Sequence, residues 1–350
     1  MNRCLSTLAG AASALALSSA AFAADPELTV FDWAGWEIDG ALAPYVAKHG
    51  QKPTYSFYAD DDEAFQKVSS GFRADVVHPC PGAVPNYREA GLIEPWDTSK
   101  IEAFGNIDPD LLASPHISDD GGVWFIPYDF AYTAIAYNKT EVAEEEVQSL
   151  SVFLDPKYAG RIAISDNSDD VWALGFLATG TTSWDDVTDE QIAAAADWLR
   201  QAAPNVRTWW SDPSELAQMM KSGEVLVSWS WNDPVAILQA ENFPVGFNRS
   251  PKEGSTTFFC GFVNMKNGPG KEEKVYDWVN SMFAPESLPS IIEAIGYANT
   301  NTAATDAIPA ADLEGAFLDP VETTLFLQTP MDPDLRSRLL EEFELIKMGM

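Results

Sequence analysis

Positive charge is what this sequence has least of. Its 21 Lys and Arg stand against 53 Asp and Glu, a formal net charge of −32. A field of that sign repels phosphate backbones, so nucleic acid is excluded as a partner. Solubility or salt adaptation accounts for such a surplus, which says little about any single cleft. Histidine is almost as scarce, with His49, His78 and His116 the whole supply. A hydrolase would need one of them beside a nucleophile. His49 precedes Gly50 at a helix end, a structural placement, and His116 falls in a loop. His78-Pro79-Cys80 provides one His and one Cys, short of a metal site's usual ligand count. A ferric-ion binder would want adjacent tyrosines, which are missing. Walker and dinucleotide glycine motifs are missing too. No enzyme chemistry, cofactor or metal is expected.

What is present begins with a leader. Met1-Asn2-Arg3 gives a positive start, Cys4 to Leu17 is almost wholly small and apolar, and Ala21-Phe22-Ala23 offers an A-x-A cleavage site. Residues 1–23 read as a signal peptide, its apolar part too short for a permanent membrane span. Cys4 precedes the apolar run and cannot be a lipoprotein cysteine. The exported chain keeps about 327 of the 350 residues, above the size at which single cores divide, so two lobes are expected. Only Cys80 and Cys260 then remain. An even pair in an oxidising compartment suggests one disulfide; two separate buried thiols are the alternative.

Short strands and helices alternate along the chain. Glu27–Asp32, Pro53–Tyr58 and Ala74–His78 read as strands, with helices over Ala41–His49 and Asp61–Gly71 between them. A second alternating block starts at Arg161–Ile164 and carries amphipathic helices over Ile192–Gln201 and Ser214–Ser222. This pattern predicts α/β architecture with a parallel sheet and helices on both faces. In such sheets ligands collect beyond the carboxyl ends of strands. Trp33, Cys80 and Asp233 lie there. Trp124–Asn138 is extended, breaks near Tyr128-Asp129, and reads as a segment passing between lobes; Phe258–Met265 reads as the chain's return.

The stretch V-S-W-S-W-N-D-P at 227–234 alternates tryptophan with serine, so Trp229 and Trp231 share one side of a strand. Trp229 reads as core. Arg207 precedes Trp209-Trp210, and neighbours on a strand cannot both face one cleft. Asp60-Asp61-Asp62-Glu63 and Asp212-Pro213-Ser214-Glu215 read as helix caps, a ligand role for one member of the first group being the minority reading.

Six stretches in order carry a resemblance over nearly the whole exported chain. They are F-D-W-A-G-W, A-D-V-V-H-P, I-P-Y-D-F-A-Y-T-A-I-A-Y-N, L-D-P-K-Y-A-G, S-G-E-V…W-N-D and I-G-Y-A-N-T-N-T-A-A. Together they resemble the periplasmic spermidine/putrescine-binding proteins that feed ABC importers. The resemblance implies a two-lobed binding protein hinged on crossover strands, with a ligand cleft between lobes. It implies a first lobe of residues 27–131 plus 257–300 and a second of 132–256 plus 301–350. It also implies a monomer in the periplasm serving a permease and its ATPase.

Carried over by position, it implicates Trp33, Trp36, Cys80, Asn167, Asp170, Trp231 and Tyr297 in ligand binding, and it puts Cys80 in the same lobe as the return strand bearing Cys260. Aromatic faces hold methylene chains and attract cations, and carboxylates neutralise ammonium groups. Asp233, beside Trp231, joins this set. Two departures stand out. The family's acid on the return strand is missing at Phe259-Cys260-Gly261, and one acid after the second-lobe strand is Asn167. Arg207 reads equally as a surface residue or as an anchor for a carboxylate. The expected ligand is a polyamine; the alternative is a short zwitterion such as γ-aminobutyrate or a betaine. A metal-binding protein ranks last.

Overall fold

The computed structural model describes residues 24–350; the leader with its cleavage site lies outside them. Strand Asp25–Trp33 runs parallel to Pro53–Tyr58 on one side and to Val76–Val77 on the other. The helices between them start and stop where local chemistry directs. Asp39–His49 ends at Gly50, whose φ of 74° lets its N–H reach back to Val46 O. Asp61–Ser69 begins at Asp60, whose carboxylate accepts the Glu63 N–H at 2.7 Å. The third strand, expected over Ala74–His78, is a ladder of only two residues.

The return strand Ser255–Met265 lies antiparallel to Val76–Val77 and to the long strand Phe125–Asn138. That long strand belongs to two sheets. Through Thr133 it pairs with the return strand; from Ala134 to Tyr137 it pairs with Val227–Ser230. Beyond it, Val227–Ser230 is parallel to Ile162–Ser165, which is parallel to Val206–Trp210. Apolar side chains fill both faces of each half. Val30, Tyr128 and Trp278 pack on one side of the first sheet, and Phe31, Tyr87 and Phe259 on the other. In the second half Ile164, Trp172 and Trp229 cover one face, and Trp210, Leu216 and Leu238 the other. The C-terminal helix Pro333–Lys347 closes the second core with Leu339 and Phe343.

The break expected near Tyr128-Asp129 is a bulge inside an unbroken strand. Cys260 faces Asp129 while Gly261 faces Pro127, so Tyr128 has no opposite number. Pro127 has no N–H to offer the ladder. A Cβ at Gly261 would lie 2.1 Å from Ile126 O. The bulge therefore requires glycine at 261, and an acid has no room at that position.

Candidate functional site

The carboxyl ends of the strands in the two halves face a common cavity of about 410 Å³, towards the lower end of the roughly 300–1,000 Å³ typical of ligand sites. Trp33, Trp36, Cys80 and Tyr297 line it from first-half elements, and Asn167, Asp170, Trp231 and Asp233 from second-half elements. Rings form much of the wall: Trp33 packs at 4.8 Å on Tyr58, and Tyr297 lies 5.9 Å from Trp36 and 5.7 Å from Phe258. Trp231 packs at 4.7 Å on Trp210. Trp229, one ladder step inward, is fully buried.

The wall is held from behind by His78. Its backbone carbonyl accepts the Trp33 indole N–H at 2.8 Å and the Tyr58 hydroxyl. Its ring lies edge-on to Trp36 at 4.8 Å. Nδ1 is 2.7 Å from Asp32 Oδ1, and Nε2 is 3.1 Å from Asp129 Oδ2, all three side chains shut away from solvent. Burial opposes the imidazolium, but the two carboxylates outweigh it and push the His78 pKa up to about 10. Asp129 Oδ1 also accepts the Cys260 N–H at 3.0 Å. Cys260 and Cys80 are joined by a disulfide at the cleft wall.

Asp170 is a buried carboxylate with a full set of neutral donors. Thr133 Oγ1 and Gln328 Nε2 reach Oδ1 at 2.8 and 2.7 Å; the Trp231 indole N–H and Ser165 Oγ reach Oδ2. Burial raises its pKa, and these donors work in the opposite direction. Asn167 caps the helix Ser168–Ala178, its Oδ1 accepting the Asp170 N–H at 3.1 Å. Asp233 sits in the first turn of Asn232–Ala240, for which Trp231 occupies the cap position. Burial pushes its carboxyl up to about 8, with backbone and the Tyr297 hydroxyl pulling it down. Its Oδ1 is buried without a hydrogen-bond partner.

Arg207 is not part of this cavity. It lies near the start of Val206–Trp210, whereas the cleft is at the strand's far end, beyond Trp210. Its half-exposed guanidinium pairs with Glu224. Sequence reasoning passes over Tyr58, Asp129, Phe258, Gln328 and Asp169; Asp61 belongs to the acidic run whose ligand role is the minority reading, and Asp212 reads there only as a cap. Asp212 does serve as a cap, accepting the Ser214 and Glu215 N–H groups at 2.7 and 3.0 Å. Among the described residues, seven of those lining the cleft are Asp or Glu, and none is Lys, Arg or His.

A family model described as "Bacterial extracellular solute-binding protein" matches residues 40–316. The chain belongs to that family. The spermidine/putrescine-binding periplasmic protein of Escherichia coli (strain K12) is 29% identical over 299 residues, covering 84% of each chain. Among solved structures, the spermidine/putrescine substrate-binding protein PotD from Streptococcus pneumoniae superimposes with a TM-score of 0.74 at 24% identity, covering 92% of this chain and 98% of that one. The Atu4243-GABA receptor superimposes with a TM-score of 0.70 at 17% identity, over 92% and 96%. These likenesses establish the two-lobed α/β fold of solute-binding proteins.

Proposed function

We propose that the chain is the periplasmic solute-binding component of an ABC importer and that it captures a polyamine such as putrescine or spermidine. The observation that carries this reading is the cleft's charge balance: seven carboxylates, no lining cation among the described residues, and rings between them. An ammonium group stripped of water needs an anionic acceptor, and methylenes between ammonium groups need apolar cover. Trp33, Trp36, Trp231 and Tyr297 supply the cover; Asp170 and Asp233 supply charge. A short zwitterion would set its carboxylate against this acidic lining with Arg207 out of reach. A short zwitterion is the competing ligand in a titration.

The lobes in this reading are residues 27–131 plus 257–300 and 132–256 plus 301–350. The exchange of strand partners between Thr133 and Ala134 supports that division, as does the packing of the C-terminal helix on the second core. The protein delivers its solute to a permease and performs no chemistry on it. Calorimetric titration with putrescine, spermidine and γ-aminobutyrate tests the reading. Saturable binding of a polyamine supports it; binding of γ-aminobutyrate alone overturns it.

A further inference from the structure

Two cleft acids have too few partners for their burial. Asp61 opens the helix Asp61–Ser69 and is 3% exposed; Asp169, in the first turn of Ser168–Ala178, is 6% exposed. They flank one turn of chain. Asp61 accepts only the Cys80 N–H, at 3.2 and 3.3 Å from its two oxygens. Asp169 approaches Gly82 so closely that a Cβ there would lie 2.3 Å from its Oδ2. Among the described residues Asp169 Oδ1 accepts no hydrogen bond; it faces Arg336 Nε beyond hydrogen-bond reach.

The nearby cation is Arg336, from the C-terminal helix. Its two terminal nitrogens are committed to Asp62, at 2.6 and 3.3 Å. Only Nε faces Asp169, at 3.5 Å. One guanidinium thus serves three neighbouring carboxylates. Burial raises the pKa of Asp61 and of Asp169, a cost that a cation arriving from the cleft relieves. Asp233 has other charged neighbours, Asp170 and Asp212, and Asp169 adjoins that group through Asp170.

We propose that Asp61 and Asp169 form a second ammonium subsite, one carboxylate from each lobe, which selects ligands carrying a second amine. The proposal rests on the amine reading above and deepens it. A diamine anchored near Asp170 and Asp233 places its far ammonium between Asp61 and Asp169 and joins the lobes through it. A monoamine leaves this pair empty.

The test compares putrescine with 1-aminobutane, which has the same carbon chain and one ammonium. Wild-type protein and the isosteric variants Asp61→Asn and Asp169→Asn are titrated by calorimetry in buffers of different ionisation enthalpy. Each variant is expected to lose about tenfold or more in putrescine affinity, as for a hydrogen-bonded charge pair, and to hold 1-aminobutane about as wild type does. Wild type is expected to release protons on binding putrescine, and Asp61→Asn to release fewer. Variants that bind putrescine unchanged, or lose both amines equally, overturn the subsite while leaving the amine reading intact. Wild type that binds neither amine defeats the amine reading itself, and the subsite with it. Should Asp169→Asn fail to fold, Asp61→Asn decides alone, because it leaves the Arg336–Asp62 pair in place.

Discussion

Asp129 on the long strand meets His78 across 3.1 Å, and solvent reaches neither side chain. With Asp32 on the other ring nitrogen, the imidazolium separates two buried carboxylates. Replacing His78 by Gln leaves those charges unpaired and is expected to destabilise the fold by about 3–5 kcal/mol. The sign of the pH effect follows from the raised pKa. The stabilisation is complete below the unfolded value of 6.5 and is lost as pH rises towards about 10. Urea unfolding between pH 6 and 10 measures both. A His78→Gln protein as stable as wild type at pH 6 would remove the charge pair from the account.

Asp233 should make ligand affinity depend on pH. Burial pushes its carboxyl up to about 8, so below that pH an ammonium must displace a proton to use it. Affinity for putrescine is expected to rise from pH 6 to pH 8 by up to about tenfold per unit, then level off. In Asp233→Asn the profile becomes shallower, leaving the part that Asp61 contributes. A flat wild-type profile would show that this carboxyl does not meet the amine.

Trp231 both walls the cleft and donates its indole N–H to Asp170. Trp231→Phe keeps a ring and loses the donor, with an expected cost of about 1.5–3 kcal/mol in ligand binding. Arg207→Gln, on the far end of its strand, is expected to leave affinity within about 0.5 kcal/mol, as for surface changes generally. Calorimetry on the two variants side by side checks the pair; a strong Arg207 effect would mean that the cleft extends further than its lining shows.

The Cys80–Cys260 bond closes a loop with a sequence separation of 180. Converting both residues to Ser is expected to lower stability by about 2–5 kcal/mol. Thermal unfolding with and without putrescine is the measurement. A double variant that melts with wild type shows that packing of the return strand alone holds that wall.

Much of the cleft was legible because position along a parallel strand fixes which end of the sheet a residue reaches. Trp33 closes its strand, Cys80 and Asp233 follow the ends of theirs, and each lines the cavity. Arg207 misled because sequence proximity to Trp209-Trp210 does not say which end of a strand a side chain occupies. Gln328 could not be found: it stands outside any periodic element and reaches Asp170 only because the chain around it runs beside the return strand. His78 showed one His beside one Cys, while its carboxylate Asp32 stands 46 residues earlier on another strand. Asp61 was concealed by the capping chemistry of its neighbour Asp60, since one acidic run supplies both the cap and a cleft carboxylate.

The place of the return strand sets an order of assembly. Ser255–Met265 is the inner strand that joins Val76–Val77 to the long strand, yet it comes late in the chain. A polypeptide emerging N-terminus first from a ribosome or a translocation pore must therefore hold strands Asp25–Trp33, Pro53–Tyr58 and Val76–Val77 without their central partner until residue 265 is free. Non-local pairing of this kind is slow and leaves apolar strand edges open to aggregation in the meantime. The half of the protein that is made first thus waits for a strand made much later, and a nascent chain truncated before Ser255 should remain a client for chaperones.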